Sequence, residues 1–117
     1  MLTVYTYAQC STCRNAVKWL TARGLKFEIR PIRETPPGAR ELSAMLAAHG
    51  GNLRRLFNTS SQDYRDLGIS ERIEAMAPAE AFGFMAKNGN LVRRPFLLGP
   101  GVALVGFDEE AWAAALK

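Results

Sequence analysis

Two thiols held apart by two small hydroxyl residues, Cys10-Ser11-Thr12-Cys13, are the side chains of this 117-residue chain best suited to chemistry, and Arg14 follows them directly. A thiolate is a strong nucleophile, and a second thiol three residues on is placed to attack the mixed disulfide that the first one forms. The pair reads as a redox-active dithiol in which Cys10 attacks and Cys13 resolves. The chain has only these two cysteines, which excludes a secreted framework stapled by several bridges. The same count argues against a structural metal: a closed zinc site takes four ligands, whereas Cys10, Cys13 and the single histidine, His49, supply three. No metal and no bound cofactor are expected.

The elements on either side decide what the thiols can do. Leu2-Thr3-Val4-Tyr5-Thr6-Tyr7 alternates as a strand, with Leu2, Val4 and Thr6 on one face and Thr3, Tyr5 and Tyr7 on the other. Beyond the motif, Cys13, Ala16, Val17 and Leu20 fall at i, i+3, i+4 and i+7, the inward stripe of a helix. The motif therefore spans a strand-to-helix turn, where unpaired backbone N–H groups and the positive end of the helix dipole favour an anion. Cysteine pKa values in such places fall from about 8.5 to roughly 3.5–7.5, so Cys10 is expected to be acidic. Cys13, on the stripe, is expected to be buried and less acidic.

Length and a hydrophobic content of 48% suit one compact domain. Apolar runs are short and broken by Gly and Pro, far from the roughly 20 residues of a membrane span, and the first residues lack the pattern of a secretory signal; a cytoplasmic protein is expected. Residues 1 to 33 hold Arg14, Lys18, Arg23, Lys26, Arg30 and Arg33 against Glu28 alone, so the formal charge of +4 is concentrated in the cysteine half. Such a half attracts anions: an oxyanion, glutathione's carboxylates or an acidic protein surface. It is too mildly basic for direct DNA binding.

Lys26 to Ile32 alternates as a second strand, which Pro31 confines to an edge. Strand, helix and strand within about thirty residues make a crossover unit with parallel strands. After Thr35-Pro36-Pro37-Gly38 a helix starts with Gly38 as N-cap and Glu41 at N3, and its stripe is Leu42, Met45, Leu46 and His49. On that stripe, beside the Gly50-Gly51 stop, His49 reads as a packing residue and not as a general base. Residues 53 to 88 read as short helical pieces: one around Leu53, Leu56 and Phe57, one from Tyr64 to a stop at Gly68, one N-capped by Ser70 over Glu71 to Met76, and one from Pro78 with Phe82, Met85 and Ala86 inward. Phe96-Leu97-Leu98 and Val102 to Val105, joined by Gly99-Pro100-Gly101, form an antiparallel hairpin. Asp108 then caps a helix from Glu109 to Leu116, with Phe107 and Trp112 placed for a hydrophobic staple.

A βαβ unit followed by ββα is the thioredoxin plan. The reading is a single α/β, thioredoxin-like domain over 1–117, with a core at 1–33 and 90–117 and a helical insertion over about 38–88. In that plan a proline opens the strand after the insertion, so Arg94-Pro95 is expected to be cis and to face Cys10.

CSTCRNA, the Thr-Pro-Pro at 35 to 37, Phe57-Asn58-Thr59-Ser60 with Tyr64-Arg65-Asp66-Leu67-Gly68, Arg93-Arg94-Pro95 and Gly106-Phe107-Asp108 together resemble the arsenate reductase and Spx family, nearly end to end. The resemblance implies a nucleophilic Cys10 with Thr12, Cys13 and Arg14 in its motif, where glutathione-dependent arsenate reductases carry serine at the position of Cys13. Those enzymes bind their oxyanion with three arginines; one corresponds to Arg94, while the other two positions fall on Asn58 and Gly106. The Cys10–Cys13 pair instead resembles that of the Spx and MgsR regulators, in which a thiol-disulfide switch accompanies binding to the C-terminal domain of the RNA polymerase α subunit. The expected machinery is Cys10, Cys13 and Arg94, with Ser11, Thr12, Arg14 and Pro95 lining the substrate position. A small thiol, an oxyanion or that polymerase domain is the expected partner, glutathione or thioredoxin/glutaredoxin the reductant, and a monomer the expected state.

Overall fold

A computed structural model describes residues 1–116. Four strands form one sheet in the order β2-β1-β3-β4. The first strand, β1 (Leu2–Thr6), leads into α1 (Ser11–Ala22), and β2 (Phe27–Pro31) returns parallel to β1, pairing Leu2 with Phe27 and Thr6 with Pro31. The proline-bearing strand lies at the sheet edge, as its missing N–H requires. The next strand, β3 (Phe96–Gly99), runs antiparallel to β1, and β4 (Val102–Val105) runs antiparallel to β3, which completes the βαβ and ββα halves of a thioredoxin-like fold. The last helix, α6 (Glu109–Ala115), follows directly.

Strand alternation divides the core between the two faces of the sheet. Val4 and Leu97 face Ala16 and Leu20 of α1 and Trp112 and Leu116 from the C-terminal segment. Tyr5 and Phe96 face Ile32, just past β2, and the insertion, where Leu42, Met45, Leu56, Phe57, Ile69 and Met85 are fully buried. The ends of α1 and α6 are fixed locally. At the end of α1, Gly24 takes φ 70° and donates to Thr21 O while Leu25 donates to Leu20 O, the paired bonds of a glycine-terminated helix. Asp108 Oδ1 accepts from the N–H groups of Glu110 and Ala111 at 3.1 and 3.4 Å, and the rings of Phe107 and Trp112 pack edge to face at 5.0 Å, so cap and staple both form.

The insertion holds α2 (Ala39–Ala48), α3 (Gln62–Asp66), α4 (Ile69–Arg72) and α5 (Pro78–Lys87), with one 3-10 turn between α2 and α3 and another between α4 and α5. Gly38 precedes α2 and its N–H donates to Glu41 Oε1 at 2.9 Å. Two expectations fail here. Ser70 is not an N-cap: Gly68, at φ 63°, turns the chain two residues earlier, α4 starts at Ile69, and Ser70 lies inside it. Ala86 is exposed, because α5 turns Ala81 and Met85 inward and leaves Phe82 half-buried.

Candidate functional site

Cys10 occupies the N-cap of α1 in an extended conformation, φ −89° and ψ 116°, and its Sγ accepts the Cys13 backbone N–H at 3.3 Å. The turn before it is closed by the Cys10 N–H on Tyr7 O at 2.9 Å, and the helix is entered through the Arg14 N–H on Cys10 O at 3.0 Å. A sulfur at this position replaces the hydroxyl or carboxylate oxygen of an ordinary N-cap. It therefore gains as an anion what such a cap gains. Ser11 and Thr12 expose their side chains and present first-turn N–H groups at the same mouth.

The two thiols are free and their surroundings differ. Cys10 is half-buried; burial is the largest influence and works against its charge, but the Cys13 thiol, the Cys13 N–H and the Arg94 guanidinium together outweigh it and hold Cys10 below the ordinary cysteine value. Cys13 is 1% exposed. Burial pushes its thiol up to about 12, opposed by the Tyr7 backbone N–H, and the neighbouring Cys10 sulfur adds to the rise. The outer sulfur thus sits at the mouth of α1 and the inner one is buried beneath it.

Arg94 is half-buried, carries a charge that favours the Cys10 thiolate, and precedes a cis peptide to the buried Pro95, whose carbonyl accepts the Gly106 N–H at 2.9 Å. Its Nη1 is buried with no acceptor among the described residues. Arg14 is not gathered in. Its Nη1 donates to Ala8 O at 2.9 Å, its side chain is exposed, and it is not among the groups that shift Cys10. Asn58, in the insertion, directs its amide to Asn90 O at 3.3 Å. His49 packs half-buried at the C-terminal end of α2, where burial and then the Arg55 charge lower its pKa.

The sequence reading misses Tyr7 as a site residue and treats it only as the end of a strand. Its ring lies 4.9 Å from the guanidinium carbon of Arg94 and 4.9 Å from that of Arg33. Its hydroxyl accepts from Arg33 Nη1 at 2.9 Å and donates to Gln9 Oε1 at 3.1 Å. No spacing in the sequence joins residues so far apart along the chain. Beside the thiols a groove of about 420 Å³ opens between α1 and the β2 edge, floored by Val17, Ile29 and Ala8 and bounded by Arg14 and Lys18; it reaches Cys13. Among the described residues there is no cluster of three or more His, Cys, Asp or Glu fit to hold a metal, and no helix long and apolar enough to cross a membrane.

Residues 5–115 match the model of the ArsC family. The uncharacterized protein YusI of Bacillus subtilis is 38% identical over 96% of this chain and 98% of its own length. The global transcriptional regulator Spx 1 of Oceanobacillus iheyensis is 28% identical over 94% of this chain and 82% of its own. Among solved structures, a possible arsenate reductase from Streptococcus mutans superposes with a TM-score of 0.87 at 34% identity, covering 97% of this chain and 98% of that one.

Proposed function

The chain belongs to the ArsC family, and from that premise we propose that it is a thiol-disulfide redox protein with Cys10 as nucleophile and Cys13 as resolving thiol. The observation that carries this reading is the unequal pair at the mouth of α1: one sulfur that accepts a first-turn N–H at 3.3 Å with Arg94 beside it, and one buried thiol held protonated. In the first step the Cys10 thiolate attacks one sulfur of a substrate disulfide, the S–S bond breaks, and the other half leaves as a thiolate. Cys10 is now a neutral mixed disulfide, so the part of the Cys13 shift that came from the Cys10 sulfur is gone. Cys13 then gives up its proton and attacks Cys10; the second substrate thiol departs and takes that proton. The substrate has gained two electrons, and the Cys10–Cys13 disulfide is reopened by an external dithiol or by two thiols, glutathione, thioredoxin or glutaredoxin, in a reducing compartment such as the cytoplasm.

Incubating the reduced protein with glutathione disulfide tests the scheme. Wild type should lose two hydrogens within the peptide spanning both cysteines, Cys13→Ser should accumulate a glutathione adduct on Cys10, and Cys10→Ser should do neither. An adduct on Cys13 alone, or no adduct in any variant, overturns the assignment.

A second reading is favoured by the relatives named as transcriptional regulators: the same pair acts as a switch, and its oxidation state gates binding to the C-terminal domain of the RNA polymerase α subunit. Capture of that domain by the oxidised form and not by the reduced form or by Cys10→Ser supports it; equal binding by all three removes the switch. Arsenate reduction is the narrower alternative. It has one matching guanidinium, Arg94, while Asn58 is engaged with Asn90 and Gly106 has no side chain. Since a charge-assisted hydrogen bond is worth roughly 1.5–3 kcal/mol, turnover of arsenate with glutathione and glutaredoxin should not exceed that of a Cys10→Ser control.

A further inference from the structure

We propose that Tyr7 is a positioning residue: the face of its ring holds the Arg94 guanidinium against Cys10, and Arg33 and Gln9 hold the ring. The inference rests on the reading of Cys10 as the nucleophile and extends it to a residue and a force that the sequence motif does not contain.

Arg94 is a long side chain with many rotamers, and its buried Nη1 has no acceptor among the described residues to fix it. The ring contact with Tyr7, at 4.9 Å, lies well within the roughly 6 Å at which an aromatic face attracts a cation. The ring is in turn tied at its far end, where the hydroxyl accepts from Arg33 at 2.9 Å and donates to Gln9 at 3.1 Å. Behind Arg33 stands the Asp63 carboxylate, held by Asn88 and Asn90 at 2.9 and 3.2 Å, whose pKa is lowered by those two amides and, to a lesser extent, by the Arg33 charge. The backbone of Tyr7 completes the arrangement, because its carbonyl closes the turn at Cys10 and its amide acts on the Cys13 sulfur. One residue thus serves both thiols by its main chain and the cation by its ring. The charged and titratable groups around Cys10 are then Cys13 from α1, Arg94 from the segment before β3, and, through Tyr7, Arg33 with Asp63 behind it; Arg14 is turned away to Ala8.

Phenylalanine, which already lacks the hydroxyl bound by Arg33 and Gln9, is the reference for the test, and the fluorinated series then changes the ring's charge distribution with little change of shape. Tyr7 is replaced by phenylalanine and then by mono-, di- and trifluorophenylalanine, and the pH of half-maximal iodoacetamide alkylation is read at Cys10 by fragment-ion mass spectrometry. Each fluorine weakens the negative face. The midpoint should climb along the series by about 0.5 to 1 pH unit in total, approaching that of Arg94→Ala, and the same series built on Arg94→Ala should be flat. Tyr7 as mere packing would alter stability and leave the midpoint in place. A midpoint that ignores fluorination, or that moves equally with and without Arg94, overturns the proposal. A wild-type midpoint at the ordinary cysteine value would instead overturn the reading of Cys10 itself, so the two failures are distinct.

Discussion

The two thiols differ in their response to pH, and stability should report it. Cys13 keeps its proton in the folded chain up to about 12, whereas an unfolded chain sheds it above about 8.5. The folded state then binds more protons, so this contribution is complete below about pH 8.5 and is lost as pH rises toward 12. Cys10 acts oppositely: its folded value is lowered, so its contribution is present above the unfolded value near 8.5 and is lost as pH falls through the folded one. Urea unfolding of the reduced protein between pH 7 and 10 should show wild type losing stability above about pH 8.5 relative to Cys13→Ala, with a slope of at most about 1.4 kcal/mol per pH unit for one proton. Parallel curves would mean that Cys13 is not buried as a thiol. At this scale the motif was legible in the sequence, because N-cap position and stripe position are both local properties. The cation was only half legible. Arg14, adjacent to the motif, points at Ala8, and the arrangement around Arg94 depends on Tyr7 and Arg33, which meet only after the sheet and the insertion have assembled.

The elements that place those arginines meet at Gly89, where the insertion ends in a 3-10 turn against the end of β2. A Cβ built there would lie 1.9 Å from the Ile32 carbonyl oxygen and 2.9 Å from the Arg33 Cα, both backbone atoms that cannot rotate aside. Gly89→Ala should therefore cost at least about 2–3 kcal/mol in urea unfolding, the upper part of the overpacking range, and displace Arg33 as well. Asp108→Ala makes the contrast: losing the cap of α6 should cost about 1 kcal/mol and leave the alkylation midpoint of Cys10 unchanged. If Gly89→Ala is neutral, the insertion does not abut β2 as described. The β1-α1-β2 unit, the hairpin and α6 could be read from the sequence because each carries a full period of pattern and its own cap or turn residues. The insertion could not, since α3 and α4 have five and four residues, too few turns for an apolar stripe to fix their phase. That is why Gly68 and not Ser70 sets the start of α4, and why Leu67 is 42% exposed although it interrupts a polar stretch.

At the scale of the whole molecule, size and charge combine into a last expectation. The body measures 41 × 28 × 23 Å. At about 0.01 M salt the Debye length, roughly 30 Å, spans nearly all of it, so a ligand approaching Cys10 senses the full formal charge of +4; at about 0.1 M the length is roughly 10 Å and the ligand senses only the nearest groups. Those groups are cationic, Arg94 at the sulfur and Arg33 beyond Tyr7, and the surrounding residues 1–33 carry six basic side chains against one acid. The attack of Cys10 on an anionic aromatic disulfide, 5,5′-dithiobis(2-nitrobenzoate), should therefore slow about threefold to tenfold between 0.01 and 0.1 M salt. Most of the advantage left at 0.1 M should disappear in Arg94→Ala. With cystamine, a cationic disulfide, the salt dependence should reverse, because the same field now repels the reactant. Equal and flat rates for both reagents would show that the positive half does not govern access to Cys10, and the preference for anionic disulfide substrates would have to be abandoned while the dithiol chemistry itself stood.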